Sequence, residues 1–337
     1  MKILYAIQGT GNGHIARAFD VIPHLQRHGE VDLLVSGIQC DIKLPWAIKY
    51  RFYGLSFIFG KNGGVDLKET LLKFRPHRLL KEIYSVPVHQ YDLVINDFEP
   101  VTAWACKFRN VKCVALSHQS AVLHPEAPKP EVKDLMGRAI LKYYAPVSTA
   151  QGFHFKTMGE TVSTPVIRDD IRWSKKTDKG HYTVYLPSYS NDKIIAILSQ
   201  FPQIEWQVFS KHSNTAFQAG NVHINPVNKE QFTKSFVSSK GVLCNAGFET
   251  PAEALFLGKK LCVIPMNGQY EQQCNAAFLE SMGVTRLNSF SREIHKIQAW
   301  LASDEHLQVN YPDNLSDVVD EMIYSQLPQT YPQLAIS

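Results

Sequence analysis

At 337 residues the chain exceeds what one ordinary core holds and predicts two domains of roughly 150 residues each. Hydrophobic residues at 45% with charged residues at 20% exclude a disordered chain, and no apolar run approaches the roughly 20 residues that span a bilayer. Residues 1–150 hold 19 Lys and Arg against 13 Asp and Glu, while the remainder holds 16 against 18. That excess is too diffuse for nucleic acid, which calls for a basic stripe with stacking aromatics, although it suits an anionic acceptor or a membrane surface.

Met1 to Ile7 carry one Lys and an apolar run too short for a secretion signal, so a first strand in a cytoplasmic protein is expected. Short apolar runs then alternate with helical spacing, the mark of parallel sheets built from βαβ units. In the first half the strands are Lys2 to Ile7, Val31 to Ser36, Asp92 to Asn96, Cys113 to Leu116 and Gly152 to Phe155. Ile15, Phe19, Ile22 and Leu25 predict a helix after the first of them, with a kink at Pro23. Polar residues 175–180 read as a linker, which puts a domain boundary near residue 170. The second series is Tyr182 to Leu186, Trp206 to Phe209, Val222 to Ile224, Gly241 to Cys244 and Leu261 to Ile264. Helices are expected between Ser291 and Tyr324, so the division is 1–170, 171–310 and a helical tail, 311–337, able to return to the first domain. Cys40, Cys106, Cys113, Cys244, Cys262 and Cys274 form no CxxC pair or regular framework and read as reduced core thiols.

Ligands of open α/β sheets sit beyond the carboxyl ends of the strands, so the residues just after each strand carry the functional reading. After the first comes Gly9-Thr10-Gly11-Asn12-Gly13-His14, where alternating glycines let a ligand approach the main chain and the helix start. The spacing is not that of the dinucleotide fingerprint. The run is either a plain strand-to-helix turn or the seat of His14 as a general base. Asp97 follows its strand and either orients His14 or caps the helix after Pro100. His118 stands after another strand end and is expected to line the crevice with Gly11 and Gly13 on the acceptor side. No HExxH spacing and no DxD triplet occur, so neither a metal nor a bound cofactor is expected.

The stretch from Gly241 to Gly258 reads as a buried strand, a turn at Asn245-Ala246-Gly247, and a helix with Pro251 at its first position and Gly258 past its end. The free N–H groups at that helix start suit a diphosphate. Glu253 either closes a Thr250-x-x-Glu253 capping box or bonds ribose hydroxyls. Pro265 to Ala276, rich in amides with Glu271 and Gln272, is either a solvated loop before a helix or a partner for sugar hydroxyls.

Together, Asn245-Ala246-Gly247, Glu253, Pro265 and Glu271-Gln272-x-x-Asn275-Ala276 resemble the donor-binding signature of GT-B glycosyltransferases, including UDP-dependent plant-type enzymes and the bacterial peptidoglycan N-acetylglucosaminyltransferase. The Gly-rich turn with His14 resembles the N-terminal loop of that family. The resemblance implies two Rossmann-like parallel-sheet domains facing across a cleft, and metal-independent transfer with inversion from a nucleotide-diphospho-sugar, most simply a UDP-sugar, to an acceptor hydroxyl. It implies that Asn245, Ala246 and Gly247 meet the diphosphate, Glu253 the ribose, and Glu271 and Gln272 the sugar, with Asn275 in the same motif. Ser188 and Ser190 take the place of a phosphate loop, His14 that of the base and Asp97 that of its partner. Many relatives have His where this chain has Asn245, which turns a charge-assisted phosphate contact into a neutral one. A non-hydrolysing nucleotide-sugar epimerase and a non-catalytic nucleotide-sugar sensor share these features. The acceptor is a glycan, a lipid-linked molecule or a small molecule. Basic residues 67–84 interleave with leucines, either as a solvated helix face or as a peripheral membrane contact.

Overall fold

The computed structural model describes residues 1–10, 13–39, 44–55, 75–131 and 134–327. Gly11, Cys40, residues 67–74 of the basic segment and the last ten residues of the tail lie outside the described residues. The first sheet holds β1 (Lys2–Thr10), β2 (Glu30–Gln39), β3 (Ile48–Phe52), β4 (Leu93–Asp97), β5 (Val114–Ser117), β6 (Thr149–Phe153) and β7 (Val162–Ser163). The second holds β8 (Tyr182–Tyr185), β9 (Trp206–Ser210), β10 (Phe217–Ala219), β11 (Val222–Pro226), β12 (Gly241–Asn245), β13 (Lys260–Ile264) and β14 (Thr285–Arg286). Between and after the strands run α1 (Gly13–Gln26), α2 (Pro76–Ser85), α3 (Pro100–Arg109), α4 (His118–Val122), α5 (Leu135–Tyr143) and α6 (Asp169–Arg172). They continue as α7 (Asn191–Leu198), α8 (Lys229–Ser238), α9 (Glu249–Phe256), α10 (Tyr270–Ser281), α11 (Ile294–Ala302) and α12 (Leu315–Tyr324).

The strand orders are β3-β2-β1-β4-β5-β6-β7 and β10-β11-β9-β8-β12-β13-β14. All named pairings are parallel except β10 with β11. Helices cover both faces of such sheets, which is why Ile3 to Ile7 in β1 and Val242 to Cys244 in β12 are almost fully buried as continuous apolar runs. Strand order reverses between β1 and β4 in one sheet and between β8 and β12 in the other. A crevice opens at such reversals because successive connections leave in opposite directions. His14 and Asp97 stand past the first reversal, Ser188 and Asn245 past the second.

Helix α1 spans Gly13–Gln26 with Pro23 inside it, as the helical spacing predicted. Several local expectations change. Strand β3, with Lys49 and Arg51 among its five residues, alternates charge on a sheet edge, and β10 and β14 are only three and two residues long. Helix α9 starts at Glu249, so Pro251 is its third residue. Its N-cap is Phe248 with no side-chain bond, and the Thr250–Glu253 capping box does not form. Thr250 already lies inside the helix and cannot cap it. Gly258 does end the helix, in the left-handed region at φ 58°. Helix α12 lies against α1, where Arg27 donates to Ser316 at 2.7 Å and His28 meets Asp320 at 2.6 Å. The five described cysteines are all buried and unpaired.

Candidate active site

The first turn of α1 delivers His14, and the end of β4 delivers Asp97 beneath it. His14 Nδ1 lies 2.8 Å from Asp97 Oδ1. Asp97 Oδ1 only accepts, and at 2.8 Å it lies nearer Nδ1 than does the Arg17 Nη2 donor at 3.2 Å, so we assign the proton to Nδ1 and the lone pair to Nε2. Asp97 does not cap α3; Glu99 does, its carboxylate accepting from Val101 N at 2.7 Å and Thr102 N at 2.6 Å. Between them Phe98 takes φ 55°, a conformation costing about 1–3 kcal/mol for a residue with a side chain, of the kind that collects at functional sites. That turn leaves Asp97 under the imidazole and sends the Phe98 ring onto Tyr144, with centroids 4.8 Å apart.

Arg17, one turn after His14, completes the cluster, and its sequence position alone gave no hint of this. It is 3% exposed, and its Nη2 donates to the same Asp97 Oδ1 at 2.6 Å while Nη1 donates to Glu249 Oε1 at 2.8 Å. Burial favours the neutral imidazole of His14 and is the largest single influence, but the charge and hydrogen bond of Asp97 together with the Glu249 charge raise the pKa above its ordinary value. Burial likewise opposes ionisation of Asp97, yet Arg17 and His14 hold its carboxyl below the usual range.

His14 opens onto a cleft of about 130 Å³ between the domains, lined by Gln8, Phe98, Gln119 and Tyr144 on one side and by Gly268, Tyr270 and Glu271 on the other. Gln119 Nε2 stands 3.4 Å from His14 Nε2 and donates to Glu271 Oε2 at 3.0 Å. One amide thus spans from the base to the first turn of α10. The sequence expectation for His118 does not hold: it is 1% exposed and is not among the residues that line this cleft, whereas Gln119 is. His118 is instead an interdomain strut, with Nδ1 2.8 Å from Phe153 O, Nε2 2.8 Å from Asn275 Oδ1, and its ring stacked on Phe248 at 3.8 Å. Helix α4 starts at His118, so the ring turns inward while the next side chain faces the cleft. Gly13, at the start of α1, lies so close to Glu249 that an added Cβ would stand 2.6 Å from Oε2.

On the second domain, α7, α9 and α10 all open without a side-chain cap, at Ser190, Phe248 and Gln269. Their first-turn N–H groups have no intrahelical partner, whereas at the start of neighbouring α8 Asn228 Oδ1 accepts from Gln231 N. Gly247 is partly exposed, and an added Cβ there would meet nothing within 4 Å, so a ligand can reach the main chain. Ala246 is buried at the turn. Several predicted donor residues have their side chains occupied within the protein. Ser188 donates to Asn245 Oδ1 at 3.1 Å, Asn245 Nδ2 to Ile264 O at 2.9 Å, and Asn275 Nδ2 to Ala246 O at 3.2 Å. Gln272 Oε1 accepts from Met266 N at 3.0 Å. These four fix the turns after β8, β12 and β13. Glu253 is 2% exposed and receives Arg168 through two bonds, Nε at 2.6 Å and Nη2 at 3.0 Å. Among the described residues no three His, Cys, Asp or Glu side chains are placed to share a metal ion, and no helix is long and apolar enough to cross a membrane.

Two α/β domains whose sheet reversals face one cleft define the GT-B architecture, and solved structures of that class align over nearly the whole chain. MurG of Acinetobacter baumannii is 13% identical, with a TM-score of 0.52 over 95% of this chain and 100% of that one. Phytolacca americana UGT2, solved with UDP-2-fluoro-glucose and pterostilbene, is 13% identical, with a TM-score of 0.56 over 98% and 95%. SsfS6 of Streptomyces sp. SF2575, solved with thymidine diphosphate, is 12% identical, with a TM-score of 0.53 over 96% of each chain. Residues 1–303 match the family described as glycosyl transferase family 1, and the chain belongs to that family. No curated protein sequence matches.

Proposed function

We propose that this glycosyltransferase inverts configuration, acts without a metal, and moves a hexosyl or N-acetylhexosaminyl group from a UDP-sugar to an acceptor hydroxyl. The observation that carries the proposal is the hydrogen bond from His14 Nδ1 to buried Asp97, which leaves Nε2 as an acceptor on the cleft opposite Glu271. In the proposed step the acceptor oxygen attacks the anomeric carbon and loses its proton to His14 Nε2. The bond from that carbon to the diphosphate breaks, and its electron pair leaves on the phosphate oxygen. Asp97 stabilises the imidazolium, as an orienting carboxylate does for a histidine base. The departing charge would meet the open starts of α7 and α9 through Ser190, Ala246 and Gly247. Glu271 would accept from donor-sugar hydroxyls, and Ser188, Asn245, Gln272 and Asn275 would hold the loops that meet the donor. A peripheral contact with the cytoplasmic membrane face is part of the same reading, supported by Leu80 and Tyr84 of α2, 47% and 65% exposed.

A thermal-shift screen across UDP-, GDP- and dTDP-sugars tests the donor. Ligand at about 100 times its Kd adds about 2.7 kcal/mol to stability, and UDP-sugars should raise Tm most. No shift with any nucleotide sugar would overturn the proposal.

A further inference from the structure

Arg17 is a buried cation whose second carboxylate partner belongs to the other domain. Asp97 Oδ1 takes Nη2 at 2.6 Å, and Glu249 Oε1, from the first residue of α9, takes Nη1 at 2.8 Å. The Arg17 Nε proton, also buried, has no partner among the described residues. The Glu249 side chain is 25% exposed, so solvent and solutes reach it, whereas that of Arg17 is 2% exposed. Glu249 therefore sets an anionic oxygen against a guanidinium at the opening turn of α9, with its other oxygen against Gly13. A phosphate oxygen asks for the same partners: a guanidinium donor, free helix N–H groups and a close approach to main chain without a Cβ.

We propose that Glu249 holds the place of a donor phosphate, and that on donor binding Arg17 exchanges Glu249 for the diphosphate. This rests on the donor reading given above. Through the exchange Arg17 keeps its bond to Asp97 and offers Nη1 to the leaving group, so one side chain touches both the partner of the base and the departing charge. Glu249 Oε1 already occupies Nη1 at the start of α9, and a phosphate oxygen brought to the same nitrogen would face that carboxylate at close range, so the diphosphate takes the contact as Glu249 leaves it. Glu249 thus opposes donor binding and guards the cation when the site is empty.

Calorimetric titration of the full chain and its Glu249→Gln variant with UDP, GDP, dTDP and inorganic pyrophosphate tests the exchange. The substitution is nearly isosteric, and a denaturation curve confirms the fold. Glu249→Gln should bind nucleoside diphosphate and pyrophosphate more tightly, by on the order of ten-fold, because the competing charge is gone. Arg17→Gln should weaken both ligands in the same titration. Unchanged or weaker binding by Glu249→Gln would overturn the exchange while leaving the donor reading intact. Failure of both wild type and Glu249→Gln to bind any nucleoside diphosphate would instead overturn the donor reading and this one with it.

Discussion

Replacing His14 with Asn should lower kcat/KM by roughly 10²–10⁴-fold, the usual contribution of a positioned general base. Nucleoside diphosphate affinity should stay within about two-fold, because the base acts on the acceptor and not on the donor. Asp97→Asn should lower the rate similarly, since an amide neither fixes the Nδ1–H tautomer nor stabilises the imidazolium. The pH profile separates chemistry from folding. Against burial, Asp97 and Glu249 together raise His14 above its ordinary value of about 6.5, so the acid limb of kcat/KM should fall above that pH and move lower in Asp97→Asn. The sign for stability follows from the same shift. A raised His14 pKa contributes stability that is full below the unfolded value and fades as pH rises through the folded one. The lowered pKa of Asp97 contributes stability above the ordinary carboxylate range, lost as pH falls through its folded value. Full activity in His14→Asn would remove this residue from the chemistry.

Glu253→Gln should cost up to roughly 3–5 kcal/mol of stability, measured by chemical denaturation, because it removes the two-bond partner of Arg168 and leaves the guanidinium only the more exposed Asp170, whose Oδ2 lies 3.3 Å from Nη1. The surroundings amplify the effect. Burial and the nearby Asp169 charge push Asp20 up to about 7, so it supplies only a partial counter-charge to Arg168 near neutral pH. The double variant Arg168→Gln, Glu253→Gln should recover most of the loss, since no lone buried charge remains. Ribose recognition can then be read in the double variant: a role for Glu253 predicts weaker UDP binding at near wild-type stability. A single variant within about 1 kcal/mol of wild type would show that the pair contributes little.

What the sequence made legible was what depends on local pattern. Runs such as Ile3 to Ile7 and Val242 to Cys244 are apolar on both faces and could only be buried strands, and strand ends then located His14, Asp97 and Asn245. Edge strand β3 escaped because Lys49 and Arg51 break its apolar pattern, Lys49 reaching Asp32 of β2 at 2.5 Å. Asp97 and Glu99 stand two residues apart, each able to cap α3, and only the positive φ of Phe98 decides which turns inward. Arg17 sits among the helix-spaced apolar residues of α1, and its partner Glu249 is 232 residues away, so no local signal joins them. The same distance effect hid the two partners of Glu253 and His118: the capping box and the crevice position were sound local readings that Arg168 and Asn275 displaced through tertiary contact.

Hydrogen–deuterium exchange with and without saturating UDP locates the donor most directly, since the open start of α9 is part of the proposed seat of its diphosphate and Glu271, in the first turn of α10, lies beside it on the sugar side. Protection should concentrate in residues 245–250 and 266–272, with smaller slowing around His14 as the cleft closes. Saturated binding with those two segments unchanged, or with protection confined to the first domain, would contradict the donor site and the transfer chemistry built on it.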